Sequence, residues 1–181
     1  MKKSTGTAKP IRFDARTAIR RDQLIQLLES LPGIQRESDP GKLPVRFSVT
    51  GHEPLSEFTL SYRVENRFWT RHYNPILSIS LPSSEEGKWI YRGSSFSGPD
   101  SEVKNRLNRN SLLAAQGKRF DFSELTVSGK NSGGCASLMP FGGSIVRILF
   151  PGATYLIRPT AREAAAWIQT LQLILAEFSK G

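Results

Sequence analysis

Glu57-Phe-Thr-Leu-Ser-Tyr-Arg-Val-Glu65 alternates without a slip: Phe58, Leu60, Tyr62 and Val64 project one way, Thr59, Ser61 and Arg63 the other. Period-2 alternation of this kind is the pattern of a strand with one face in a core and one toward water. One-sided strands belong to antiparallel sheets, since parallel sheets are covered on both faces and read as continuous apolar runs. Working outward, Val45, Phe47 and Val49 alternate with Arg46 and Ser48, and Leu77, Ile79 and Leu81 form a further strand closed by Pro82. Residues 83–87 make a polar turn into Lys88-Trp89-Ile90-Tyr91-Arg92. Together these predict an antiparallel meander.

Helices frame the meander. Residues 14–31 carry Ala18, Leu24, Ile25, Leu28 and Leu31 at helical spacing, with Asp14 as N-cap and Pro32-Gly33 as terminator. The Gly-, Ser- and Pro-rich stretch 93–100 reads as loop. A second helix is expected from Asp100 or Ser101 to about Ala115, with a break at Asn108-Arg109-Asn110-Ser111 and an end at Gly117. Strands resume with Phe120, Phe122, Leu125 and Val127, where slipped alternation at Ser123-Glu124 predicts a bulge. Residues 129–134 read as a loop, and the run from Cys135 to Met139 as a strand. Pro151-Gly152 joins residues 144–150 and 153–158 into a hairpin. The last helix opens on a capping box, Thr160-Ala-Arg-Glu163, and carries a stripe of Ala164, Trp167, Ile168, Leu171, Ile174, Leu175 and Phe178.

The order helix–strands–helix–strands–helix predicts an α+β fold, a mostly antiparallel sheet with helices packed on one face. The 181 residues suit one domain over residues 11–181, preceded by a disordered basic N-terminal tail, 1–10. This order is similar to that of small secretion chaperones, and its closing hairpin with a Trp-bearing helix to the end of a pleckstrin-homology domain. Both likenesses imply a protein-partner module.

The net charge is +9 but unevenly placed. Over residues 1–21, Lys2, Lys3, Lys9, Arg12, Arg16, Arg20 and Arg21 face Asp14 alone. Over residues 104–119, Lys104, Arg106, Arg109, Lys118 and Arg119 face no acid. The rest of the chain is slightly acidic. Concentrated positive charge attracts polyanions: nucleic acid, an anionic membrane surface or an acidic protein face. With Ile11, Phe13 and Ile19 as its apolar residues, the 1–21 segment would hold to a membrane mainly by charge.

The N-terminus has no apolar segment of the secretory type, though its Arg, Ser and Thr content admits a transit-peptide reading. One cysteine and no Asn-x-Ser/Thr sequon suit a cytoplasmic location, and no apolar run is long enough to span a membrane. Catalytic and metal motifs are thin. His52, His72 and Cys135 lack ligand spacing. Cys135 reads as a small buried hydrophobe. Gly129-Lys-Asn-Ser-Gly-Gly134 and Phe141-Gly-Gly-Ser144 lack the order and the following helix of a phosphate loop. Glu85-Glu86 sits in a turn, and Asp121, Glu124 and Lys130 match no established nuclease spacing. No metal and no cofactor are implied.

The most informative stretch is Val64-Glu-Asn-Arg67-Phe68-Trp69-Thr70-Arg71-His72-Tyr73. If the strand that starts at Glu57 continues, Phe68 stays on the core face, and Arg67, Trp69, Arg71 and Tyr73 form an outward row able to stack on bases and meet phosphates. If Asn66-Arg67 turns instead, the phase flips and Trp69 and Tyr73 enter the core. The expectation is a non-enzymatic basic binding protein that associates with nucleic acid. Its binding set is Arg12, Arg16, Arg20, Arg21, Arg67, Trp69, Arg71, Tyr73, Lys104, Arg106, Arg109, Lys118 and Arg119. The alternative is a protein-partner module that meets an acidic surface or uses an exposed apolar patch or edge strand.

Overall fold

A computed structural model describes residues 11–179, apart from residues 12, 40, 83–84 and 120–121. The expected tail 1–10, Arg12, Phe120, Asp121 and the side chains of Lys118 and Arg119 lie outside the described residues. The strands are β1 (Ile34–Arg36), β2 (Val45–Val49), β3 (Glu57–Arg67), β4 (Thr70–Leu81), β5 (Gly87–Arg92), β6 (Ser95–Ser97), β7 (Phe122–Gly129), β8 (Gly134–Pro140), β9 (Ile145–Ile148) and β10 (Ala153–Leu156). The helices are α1 (Ala15–Glu29), α2 (Glu102–Arg109), α3 (Ser111–Arg119) and α4 (Ala161–Phe178).

All described strands join one antiparallel sheet in the order β1-β2-β3-β4-β8-β7-β5-β6, with β9 also on β4 and β10 on β9. The far edge of β4 is shared: residues 77–81 pair with β8 and residues 70–73 with β9. The α+β class with a mostly antiparallel sheet is therefore the observed architecture.

The alternating strands bury the face expected of them. Phe47, Phe58, Leu60, Tyr62, Leu77, Trp89, Val127 and Leu138 all lie in one core. Phe47 stacks on Phe58, with ring centroids 4.8 Å apart. Helix α4 lies against β4 and β8 and touches α1, α2 and α3, so its apolar stripe closes the core. The other sheet face is partly open and rich in hydroxyls, including Thr59, Ser78, Ser137 and Thr126.

Local signals set the boundaries. Asp14 caps α1, its carboxylate accepting from Thr17 N at 2.9 Å. The Thr160–Glu163 capping box is formed in full. Asn110 ends α2 and starts α3, its side-chain oxygen accepting from Leu112 N and Leu113 N and its amide donating to Glu177. The bulge falls between Phe122 and Glu124. Gly33 takes φ +76°, and a Cβ there would sit 2.0 Å from Thr50 O, so glycine is required twice over.

Four expectations need correction. The 93–100 loop contains β6, held because Asn108 offers Phe96 the donor and acceptor of a neighbouring strand. Gly117 does not end its helix; it lies inside α3, where a Cβ would come within 2.0 Å of the Tyr91 hydroxyl. Close packing, not termination, explains that glycine. Cys135 is exposed, because the β8 register turns it to the open sheet face. The fourth correction concerns residues 67–73 and shapes the site described next.

Candidate functional site

The strand that begins at Glu57 does not run on. Arg67 pairs with Thr70, so Phe68-Trp69 forms a two-residue turn and the chain reverses. Turns this tight normally use Gly, Asn or Asp. No described non-glycine residue has positive φ, and neither Phe nor Trp favours a turn. Local turn chemistry therefore does not account for the two aromatics. Phe68 is 85% exposed, not on the core face, and Trp69 is 60% exposed. Their rings meet edge-to-face with centroids 4.7 Å apart.

The reversal dissolves the expected outward row. Arg67 and Arg71 now stand on opposite faces, since Arg67 pairs with Thr70 and Arg71 with Asn66. Tyr73 is 1% exposed and stacks on Phe13. Of the two sequence-level alternatives, Tyr73 follows the core version and Trp69 the exposed one. The turn falls two residues later than Asn66-Arg67, which keeps the phase that buries Tyr73 and places Trp69 in the turn itself.

A second tip lies beside the first. Ile148 pairs with Ala153, leaving Leu149-Phe150-Pro151-Gly152 as the turn between β9 and β10. Leu149 N donates to Trp69 O at 2.9 Å, which ties the two tips together. Phe150 and Leu149 are exposed, and so is Tyr155 on β10. Apart from Ile19, Leu112 and Phe141, every exposed large apolar side chain among the described residues lies on these two hairpins.

Arginines stand behind the tips. Arg16 Nη1 donates to Gly152 O at 2.7 Å, and Arg71 Nε donates to Asn66 Oδ1 at 2.7 Å. Both partners are neutral, so the charges of these two arginines are uncompensated by them. Arg147 lies directly across from Arg71 and pairs with Asp14, the α1 cap. Arg67 is 3.7 Å from Glu65 and largely exposed.

The other expected residues whose side chains the structure describes do not join the tips. Arg20 is half-buried and donates to Gln23. Arg21 is buried, pairs with Asp22 and covers the Phe13 ring at 5.3 Å, so it serves packing and is not displayed to a partner. Lys104 donates to Asp100 at 2.6 Å, and this bond holds the Asp100 carboxyl below the usual carboxylate range. Arg106 is half-buried, and with the exposed Arg109 it occupies the last turn of α2, where cations offset the helix dipole. Helix α2 packs on β6, whereas α1 packs on β9 and β10, so only α1 shares the tip region.

Three residues of the site were missed: Leu149, Phe150 and Arg147. The available signal was a turn, Leu-Phe-Pro-Gly, whose first two residues are large and apolar. Elsewhere, His52 Nε2 lies 3.3 Å from Pro32 O and His72 Nε2 lies 3.0 Å from Thr70 Oγ1. Among the described residues no three His, Cys, Asp or Glu side chains gather as a metal site. No described helix is long and apolar enough to cross a membrane.

No curated protein and no solved structure matches the chain. One family model does, over residues 29–177, from the end of α1 through both tips to the end of α4. By that match the chain belongs to the DUF3156 family, described as "Protein of unknown function".

Proposed function

We propose that this protein is a non-catalytic binding protein that engages a polyanion at the sheet end formed by the two hairpin tips. The observation that carries the reading is the coincidence there of exposed aromatics with Arg16, Arg67 and Arg71. Charge supplies attraction and orientation, and apolar area supplies affinity that salt does not screen. In sequence, Lys2, Lys3, Lys9 and Arg12 precede α1 with no acid among them and add to the positive charge of the chain. Nucleic acid, the partner expected from the sequence, retains the arginines and the tip aromatics as its contacts but loses Tyr73 and the continuous row.

The test is fluorescence anisotropy and co-sedimentation of the full chain with labelled single- and double-stranded DNA and RNA and with anionic vesicles, over a salt series. At least one polyanion should bind, weaken steadily with salt, and lose affinity in Arg16→Ser/Arg67→Ser/Arg71→Ser. Absence of salt-dependent binding to all of them at low salt would overturn the reading.

A further inference from the structure

We infer that the polyanion is the headgroup layer of an anionic lipid bilayer, and that Phe68, Trp69, Leu149 and Phe150 enter its interface; this rests on the polyanion reading above. Three features of the tips favour a bilayer over a nucleic-acid strand.

The first is shape. Among the described residues, Phe68 and Phe150 are the most exposed large apolar side chains, at 85% and 79%, and both sit on turns. They protrude and do not line a groove. Single strands are bound along grooves that track the backbone. The second is ring geometry and chemistry. Phe68 and Trp69 meet at 81°, so the pair offers no parallel stacking faces, and Leu149 has no π-face to stack on a base. The third is the order of side chains away from the tip. Phe68, Trp69, Leu149 and Phe150 come first; Arg71 and Arg147 each stand two residues behind them along their strands, and Tyr155 three residues behind Gly152. At the rise of a strand, two residues correspond to about 7 Å. An interfacial element buries its apolar face ~5–10 Å deep, so at that setback Arg71, whose partner Asn66 is neutral, meets the phosphates, while Arg147 is held by Asp14. Trp and Tyr favour the same zone.

A second copy of this chain is the poorer occupant. Tip-to-tip contact would bring Arg16, Arg67 and Arg71 against their own equivalents, and like charges across an interface oppose association.

The molecule carries its own probe. Of its three tryptophans, Trp89 and Trp167 are buried, and only Trp69 is exposed. Full-length protein is titrated with vesicles of phosphatidylcholine alone and of phosphatidylcholine with phosphatidylserine, reading co-sedimentation, Trp emission and iodide quenching. Binding is expected to the phosphatidylserine vesicles, with Trp69 emission shifted to shorter wavelength and shielded from iodide. Phe68→Ser/Phe150→Ser keeps the probe and should lower the partition coefficient by roughly tenfold or more, because that binding scales with buried apolar area. Its circular dichroism and thermal midpoint should match those of the parent. The inference is overturned if Trp69 stays quenchable on bound vesicles, if the double variant partitions like the parent, or if neutral vesicles bind equally well. Binding to oligonucleotides through the same arginines, without vesicle binding, would overturn the lipid assignment and leave the polyanion reading standing. Binding to neither would overturn both.

Discussion

The two ends of the β3–β4 hairpin use the same residue types to opposite effect. At the helix-covered end, Phe58, Leu60, Tyr62 and Leu77 are sealed in the core, and Tyr73 joins them under Phe13. A few residues further on, Phe68 and Trp69 stand in solvent. Cover makes the difference: α4 packs on β4, and Phe13, next to the Asp14 cap of α1, packs on Tyr62 and Tyr73, whereas Phe68 and Trp69 stay exposed. Exposed aromatics at the tip contribute little to folding, so stability and binding should separate along a single hairpin.

The largest effect should come from emptying the covered end. Tyr73→Ala is expected to lower stability by roughly 3–5 kcal/mol, the range for deleting a large buried aromatic, as measured by chemical denaturation. Trp69→Ala should change it by less than about 0.5 kcal/mol, as exposed substitutions do. If the two losses are similar, the ends do not differ as described.

Asp14→Ala joins the two regions, because Asp14 caps α1 and pairs with Arg147. Loss of the cap should cost about 1–2 kcal/mol. The same change releases a positive charge behind the tips and should strengthen polyanion binding in the salt series. Opposite signs for stability and affinity are the expected signature.

The smallest effect is expected on the open sheet face. Arg63 donates to Glu124 Oε2 at 2.7 Å, and this hydrogen bond holds the Glu124 carboxyl below its ordinary range. A folded-state pKa below the unfolded value adds stability above the unfolded pKa, and that stability is lost as pH falls through the folded value. The side chains are 45% and 36% exposed, so solvent screens the pair and its worth is under about 1 kcal/mol. In Arg63→Gln the Glu124 titration, followed by NMR, should move up toward the ordinary carboxylate range, and the acid-side loss of stability should shrink.

Much of the fold was legible because burial leaves a periodic trace. The alternation of β3, the stripe and capping box of α4, the Asp14 cap, the break at Asn110 and the bulge before Glu124 all follow from local residue patterns. Less was legible where a residue's role depends on a distant partner. Strand β6 forms because Asn108 bonds to Phe96, and Gly117 is needed because Tyr91 packs against it. Arg21 carries the same charge as Arg16, yet α1 turns Arg21 onto Phe13 and Arg16 toward Gly152.

The amino-acid sequence by itself determined the class of fold, the one-sided sheet and the uneven distribution of charge, since each is a property of spacing or composition along the chain. Only the tertiary structure decided the site. A chain reversal at Phe68-Trp69 separated Arg67 from Arg71, sent Tyr73 into the core and set the tip against Leu149, more than seventy residues away. A two-residue turn inverts the phase of the strand after it, and pairing between distant strands leaves no local mark, so surface neighbours across such pairs are set by packing alone.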